Sequence, residues 1–311
     1  MVPEGDEGRT AVLLMGYGSP RGPEDLPGFL TEVLGGRRPS EALVQEYHRR
    51  YDLIGWSPQP RVTESLRRKL EVRLRAQHPD LPVLLGTKHW SPHVADEVVR
   101  ASSEGCRRLV AIPLSPYASP WVLRPYRQSL EVGRSRAPHP IEIDLRAGWH
   151  HSRPLQEYWA QAIRREVVGL DGPSSFLFLS AHSLPTKHER AGDPYPQILQ
   201  EMAEEVAGRA RLTNWEFTYQ SAGNTTEPWL GPDVTERMVV QAERGRREQW
   251  IASLGFLFDH LETLYDLDVV VREFAQKNGI GYHRVTMPND DDHVVAALAE
   301  VALAPSWPAS S

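Results

Sequence analysis

Short apolar runs and longer amphipathic stretches alternate along this chain. Strand-length runs lie at AVLLMGYG (11–18), PVLLGT (82–87), RLVAIPL (108–114) and IEIDLRAG (141–148). Four more follow at SFLFLSAH (175–182), WEFTYQSAG (215–223), QWIASLGFLF (249–258) and IGYHRVTMP (280–288). Runs this apolar predict strands covered on both faces, hence parallel sheets. VTESLRRKLEVRLRAQH (62–78) and PQILQEMAEEVAGRARL (196–212) carry the amphipathic period of helices. Strand and helix in alternation predict an α/β, doubly wound architecture.

The two halves echo each other. AVLLMGYGSP and FLFLSAHSLP each run strand, small residue, aromatic ring, turn residue, proline, so Tyr17 and His182 fill one slot. GTKH and QSAGN follow the second strand of each half. A length of 311 residues suits two domains. The expectation is two similar Rossmann-like domains, each a parallel sheet flanked by helices, at 1–150 and 151–311. The join falls within 150–172, GLDGPSS (169–175) is the linker, and a C-terminal helix packing back on the first domain fits this division. Ligands of such sheets bind outside the carboxyl ends of the strands, near the switch point. Tyr17 and His182 sit there, and line one cleft if the halves face each other.

Composition narrows the classes. A net charge of −6 without a basic run excludes nucleic acid as the expected partner. One cysteine, Cys106, cannot form an intramolecular disulfide or hold a cysteine-ligated iron–sulfur cluster. No apolar stretch approaches the ~18 residues that span a bilayer, and the N-terminus does not read as a signal peptide. A cytoplasmic protein is expected.

Several residues could do chemistry. An imidazole at a strand tip, His182, is as much a hydrogen-bonded structural group as a base or metal ligand. Ser180, Ser183 and Asp193 raise a serine hydrolase, but no G-x-S-x-G elbow is present. In LGFLFDHLETLYDLD (254–268) a helix is predicted from about Asp259. At about 100° per residue Asp259, Glu262 and Asp266 then share an arc of about 60°, with Asp268 facing elsewhere. Charge compensation of the helix dipole on a solvated face explains Asp259 well and Glu262 and Asp266 less well; the alternative is that the longer ridge is a path for a divalent cation released again, since no thiolate cage traps it. QSAGNTTEPWLGPDV (220–234) is a loop long enough to carry function, ordered by Trp229 and its prolines. The segment 20–60 mixes apolar residues with the pairs Arg37-Arg38 and Arg49-Arg50. That pattern suits a flat apolar ligand with carboxylate arms, or simply a solvated face. His89 and the His150-His151 pair give no zinc-type spacing with cysteines.

Taken together, MGYGSP (15–20), SAHSLP (180–185), DPYP (193–196), QSAGNTTEPWLGPDV (220–234) and GFLFDHLETLYDLD (255–268) resemble the ferrochelatases. The soluble bacterial coproporphyrin III ferrochelatases are the nearest branch, and the likeness runs from about residue 11 to 303. The resemblance implies a chelatase-like fold and an enzyme that inserts Fe²⁺ into a porphyrin, releasing two protons. Fe²⁺ is then a substrate, with no tightly bound cofactor. His182 matches the residue that binds iron or accepts pyrrole protons, and Glu262 its partner carboxylate. Tyr17 matches the tyrosine facing the iron of the bound product. Arg50, Ser57 and Tyr126 match porphyrin-contacting positions, and Arg49 adjoins one. Asp266 and Asp259 remain as an outer metal path. Two departures stand out. Leu34-Gly35-Gly36-Arg37 replaces a loop that often carries one more arginine, so one propionate contact is either missing or supplied by Arg37. The acidic ridge stops at Asp266, with Val270 one turn on. The implied partners are a porphyrin, ferrous iron and, transiently, enzymes upstream or downstream in haem synthesis, for a monomer without an integral membrane segment. A chelatase for another metal or for protoporphyrin IX, a haem or porphyrin carrier, and a solute-binding module are the competing readings.

Overall fold

The computed structural model describes residues 9–169, 172–223 and 225–305. By contacts the chain falls into two compact units. One holds the chain up to Val44, Pro60–Trp149 and the chain from Asp290 onward; the other holds Gln45–Gln59 and His150–Asn289.

The first unit is built on strands β1 (Arg9–Gly16), β2 (Val83–Thr87), β3 (Cys106–Pro113) and β4 (Glu142–Leu145), all parallel, in the order β2-β1-β3-β4. Six successive residues of β1, Ala11–Gly16, are buried, as a strand covered on both faces requires. Val94, Val98, Tyr126 and Leu130 pack against Leu13 and Met15 to make the core of one face. The run 141–148 yields a strand only as far as Leu145. Arg146 then leaves the sheet, almost fully buried, with its guanidinium paired to Asp144 at 2.7 Å. The same guanidinium donates to the carbonyls of Val301, Ala302 and Ala304 at 2.6, 3.2 and 2.8 Å. Those are carbonyls at the end of the C-terminal helix Asp292–Leu303, which lack partners of their own. A cation there also complements the helix dipole.

The second unit repeats the plan. Strands β5 (Ser175–His182), β6 (Trp215–Gln220), β7 (Glu248–Ala252) and β8 (Gly281–Arg284) are parallel, in the order β6-β5-β7-β8. In both sheets the chain leaves the first strand to one side and returns on the other, so β1 and β5 mark the switch points. The apolar run 249–258 is longer than β7 because its second part, including Leu254, Leu257 and Phe258, is a buried loop. Apolar content shows burial, and burial does not require a strand. Of the expected linker 169–175, Leu170 and Asp171 lie outside the described residues, and Ser175 already begins β5. No helix among the described residues is long and apolar enough to cross a membrane.

Candidate functional site

The site in the second unit starts at the tip of β5. Seven residues of this strand, Ser175–Ala181, are buried, and His182 is the first to reach solvent. Its position is held from three sides. The register pairs it with Gln220 of β6, the Tyr195 hydroxyl donates to its carbonyl at 3.0 Å, and Ser183 N–H bonds Gln220 O at 2.8 Å. Gly255, leaving β7, donates its N–H to Ser180 O at 3.1 Å. A Cβ at Gly255 would stand 2.7 Å from that of Ala181, so only glycine allows this approach. Ser180 is fully buried and donates to Gln220 Oε1 at 2.6 Å, while Ser183 donates to Leu230 O at 2.8 Å. Both hydroxyls are structural, which removes the serine-hydrolase reading.

Facing His182 is a segment with i→i+5 hydrogen bonding, Glu262–Val271, continued by the short helix Arg272–Lys277. This geometry is rare and recurs at functional sites. The expected helix start near Asp259 is therefore late by three residues. The wider turn holds more than four residues, so Glu262 and Asp266 still fall almost in line. Glu262 Oε2 lies 3.5 Å from His182 Nδ1. That nitrogen is buried and makes no hydrogen bond within the protein. A buried, unpaired imidazole nitrogen next to a carboxylate is costly unless a proton or cation occupies the gap. Asp266 belongs to the same cluster. Burial pushes its carboxyl up, Glu262 adds to this, and Ser221, Arg50 and His182 oppose it.

Asp259 is not in this cluster. Its carboxylate pairs with Arg284 at 2.9 Å and accepts from Asn289 Nδ2 at 2.8 Å, while Asn289 Oδ1 takes the Asp259 N–H. Asp268 also pairs with Arg284, at 2.7 Å. Both acids pair with Arg284 and so help anchor the segment. Val270, one turn past Asp266, is an exposed valine, so the ridge offers no further oxygen there.

Walls and cations complete the site. Trp229 and Phe256 lie 6.4 and 6.2 Å from the His182 ring, between ring centroids. The loop bearing Trp229 is ordered as expected, through Leu230 N–H to Leu184 O at 2.9 Å and Thr186 N–H to Pro228 O at 3.0 Å. Asn224 of that loop lies outside the described residues. Arg49 and Arg50, from the helix Glu41–Leu53, both sit over the Tyr265 ring, at 5.7 and 5.1 Å. Arg49 donates to the Tyr265 hydroxyl at 2.8 Å. Hydrogen bonds from Arg49 and then Arg50 hold the Glu46 carboxyl down at about 2. Ser57 accepts from the Gln59 N–H at 3.3 Å, in the same unit.

The remaining expected residues belong to the first unit. Tyr17, just past β1, is 45% exposed, packs edge-on against His89 at 4.8 Å and lies under the Lys88 ammonium at 5.2 Å. Gly18 turns the chain there at φ 98°, and a Cβ on it would collide with His89 O. Burial, with help from Lys88, lowers the His89 pKa to about 4, so this imidazole is neutral. Arg37 is exposed and bonds Leu34 O at 3.2 Å. Tyr126 packs in the core and is 5% exposed.

Sequence reasoning missed His260. Its carbonyl accepts from the N–H of Thr263 and Leu264, and its Nδ1 accepts from the Glu262 N–H at 3.2 Å. Burial lowers its pKa, which keeps Nδ1 a neutral acceptor. It thereby positions Glu262. The signal was its place two residues before Glu262 in FDHLE. Tyr265, on the same segment, holds the two arginines.

Two parallel sheets of one strand order, each flanked by helices, define a two-domain α/β protein. Solved structures share the fold. The sirohydrochlorin chelatase SirB of Bacillus subtilis superposes with a TM-score of 0.58 at 12% identity, covering 96% of this chain and 97% of its own. CbiX, described as the terminal enzyme of sirohaem biosynthesis in denitrifying bacteria, gives 0.55 at 15%, covering 95% and 99%. The sequence matches Ferrochelatase over residues 9–304. It is 34% identical to a coproporphyrin III ferrochelatase of a Geobacillus species, over 95% of this chain and 97% of that one. It is 33% identical to the ferrochelatase of Thermus thermophilus, over 96% and 99%. The chain belongs to the ferrochelatase family.

Proposed function

We propose that this enzyme inserts Fe²⁺ into coproporphyrin III, giving Fe-coproporphyrin for haem synthesis. The observation that carries this is the His182 Nδ1 atom, buried, unbonded and 3.5 Å from a Glu262 oxygen. The named relatives supply the porphyrin. Fe²⁺ enters the ring as two pyrrole N–H bonds break, and two protons leave, so charge and atoms balance. His182, as neutral imidazole, takes a proton or holds the ion; general-base work of this kind is worth ~10²–10⁴-fold. Glu262 and then Asp266 offer oxygens that replace water on the ion and let it go, because their hold is weak. Trp229 and Phe256 supply apolar surface for the macrocycle, and Arg49 and Arg50 hold its carboxylates, with Ser57 beside them. Tyr17 is assigned as the ligand of the product's iron. The reading includes a cytoplasmic monomer that exchanges substrate and product with neighbouring pathway enzymes. It needs no cofactor or iron–sulfur cluster; Cys106 is buried in β3.

The test is anaerobic Fe²⁺ insertion, followed by absorbance, with coproporphyrin III and protoporphyrin IX in turn. His182→Ala should fold and bind porphyrin within a few-fold of the parent, yet lose at least ~10²-fold in rate. Glu262→Gln should slow insertion more than it weakens porphyrin affinity. Near-parental turnover in His182→Ala, or a Glu262→Gln defect confined to porphyrin affinity, ends the assignment. Porphyrin binding without turnover in the parent would favour a carrier.

A further inference from the structure

A second group of metal-capable donors lies away from His182 and Glu262. His150, His151 and Glu201 each offer one ligand atom, all within 4.8 Å of one another. His150 is buried, while His151 and Glu201 are exposed. The two imidazoles come from the turn Trp149–His151 and the carboxylate from the helix Tyr195–Ala210. A buried side chain links the two elements that carry the donors. Gln156, on the helix Arg153–Glu166, donates from its side-chain amide to His150 O at 3.4 Å. The amide oxygen of Gln156 accepts from Arg209 Nε at 3.0 Å, and Arg209 is on the same helix as Glu201. One side chain therefore ties the histidine turn to the helix that carries the third donor. Such outer contacts are what orient metal ligands.

We propose that His150, His151 and Glu201 form a second binding site, for a divalent first-row transition ion such as Zn²⁺ or Co²⁺. Two imidazoles and a carboxylate suit these borderline ions and not Ca²⁺ or Mg²⁺, which require oxygen. Metal–ligand bonds of about 2.0–2.2 Å require the donors to draw well inside that 4.8 Å limit, and two of the three side chains, His151 and Glu201, are exposed. Three protein ligands leave the fourth position to water, so the ion exchanges and is not locked in. The site shares no donor with the first. Tyr195, whose hydroxyl bonds His182 O, precedes Glu201 by about 9 Å of helix rise. The proposal stands on these donors alone and does not depend on the assignment of His182 and Glu262.

The experiment is equilibrium dialysis with Zn²⁺ on the full chain, in a His182→Ala/Glu262→Gln background that silences the other pair. One equivalent of Zn²⁺ should bind. Adding His151→Ala and Glu201→Ala should weaken it by at least ~10–100-fold, the loss that disturbing even outer-shell partners produces. Both substituted residues are exposed, and the thermal midpoint without metal should stay at that of the background protein. Co²⁺ gives a second readout: the background protein should develop visible absorption that the His151→Ala/Glu201→Ala form lacks. No Zn²⁺ bound by the background protein, or equal affinity with and without His151 and Glu201, overturns the proposal.

Discussion

Arg284 is where the mechanics of the site can be measured. Its Nε lies 2.9 and 3.0 Å from the two Asp268 oxygens, and its Nη2 lies 2.7 Å from Asp268 Oδ2 and 2.9 Å from Asp259 Oδ1. The three side chains are only 11%, 23% and 19% exposed, so solvent screens them little. Asp259 precedes the i→i+5 segment and Asp268 lies within it, with Glu262 and Asp266 between them. One guanidinium therefore fastens both ends of the stretch that carries the site to strand β8. In Arg284→Met the packing is largely kept and the cation removed. Two partly buried carboxylates then lose their shared cation, Asp259 keeping the Asn289 amide and Asp268 only Arg272 at 3.6 Å, and breaking a pair in this way costs up to about 3–5 kcal/mol. For a unit of this size that is a fall in thermal midpoint on the order of 10 °C. Iron insertion should fall about tenfold or more, since a small displacement of catalytic groups is costly in rate. The triple variant Asp259→Asn/Asp268→Asn/Arg284→Met should regain most of the stability, because a neutral replacement leaves no stranded charge. Differential scanning calorimetry on the single and triple variants decides the matter. A single variant within about 1 kcal/mol of the parent, or a triple variant no better than the single, refutes the reasoning.

Two further outcomes follow from the same geometry. Gly255→Ala places a Cβ 2.8 Å from Ala181 Cα and 3.3 Å from His182 N, which should cost about 1–3 kcal/mol and displace the β5 tip. A lowered thermal midpoint with slowed Fe²⁺ insertion is expected, and parental values in both would show that the approach tolerates a methyl group. His89 titrates near 4 in the folded protein against 6.5 without burial. The unfolded chain therefore binds the extra proton first, and native stability falls as pH drops from 6.5 towards 4. Solvent screening of the half-buried ring brings the expected loss to about 1–2 kcal/mol. His89→Gln should flatten that part of the stability–pH curve, and an unchanged slope in urea unfolding would remove His89 as its cause.

Much of the architecture was legible in the residues. All eight strands form at the predicted apolar runs, and the echo between GYGSP and AHSLP corresponds to two sheets of identical strand order. The pairing of His182 with Glu262 was legible only through motif resemblance, since the residues lie far apart in the chain. The acidic ridge was read with α-helical spacing, which placed Asp259 beside Glu262. The observed i→i+5 turns start later and leave Asp259 to Arg284, a partner from another strand. Tyr126 could not be sorted between ligand wall and core, because an aromatic residue on an amphipathic helix fits both.

Local patterning, by itself, determined the element types, their order and the repeat, because apolar periodicity is a property of neighbouring residues. It also placed a histidine at the end of a switch-point strand. Which donors meet was decided by tertiary packing alone. Nothing in the spacing of His150, His151 and Glu201 links them; helix packing through Gln156 does. Nor does spacing separate Glu262, which faces an unbonded imidazole nitrogen, from Asp259, which pairs with Arg284. Charge and hydrogen-bonding capacity are allocated between elements distant in sequence, and only the folded chain shows which groups are satisfied and which are left for a ligand.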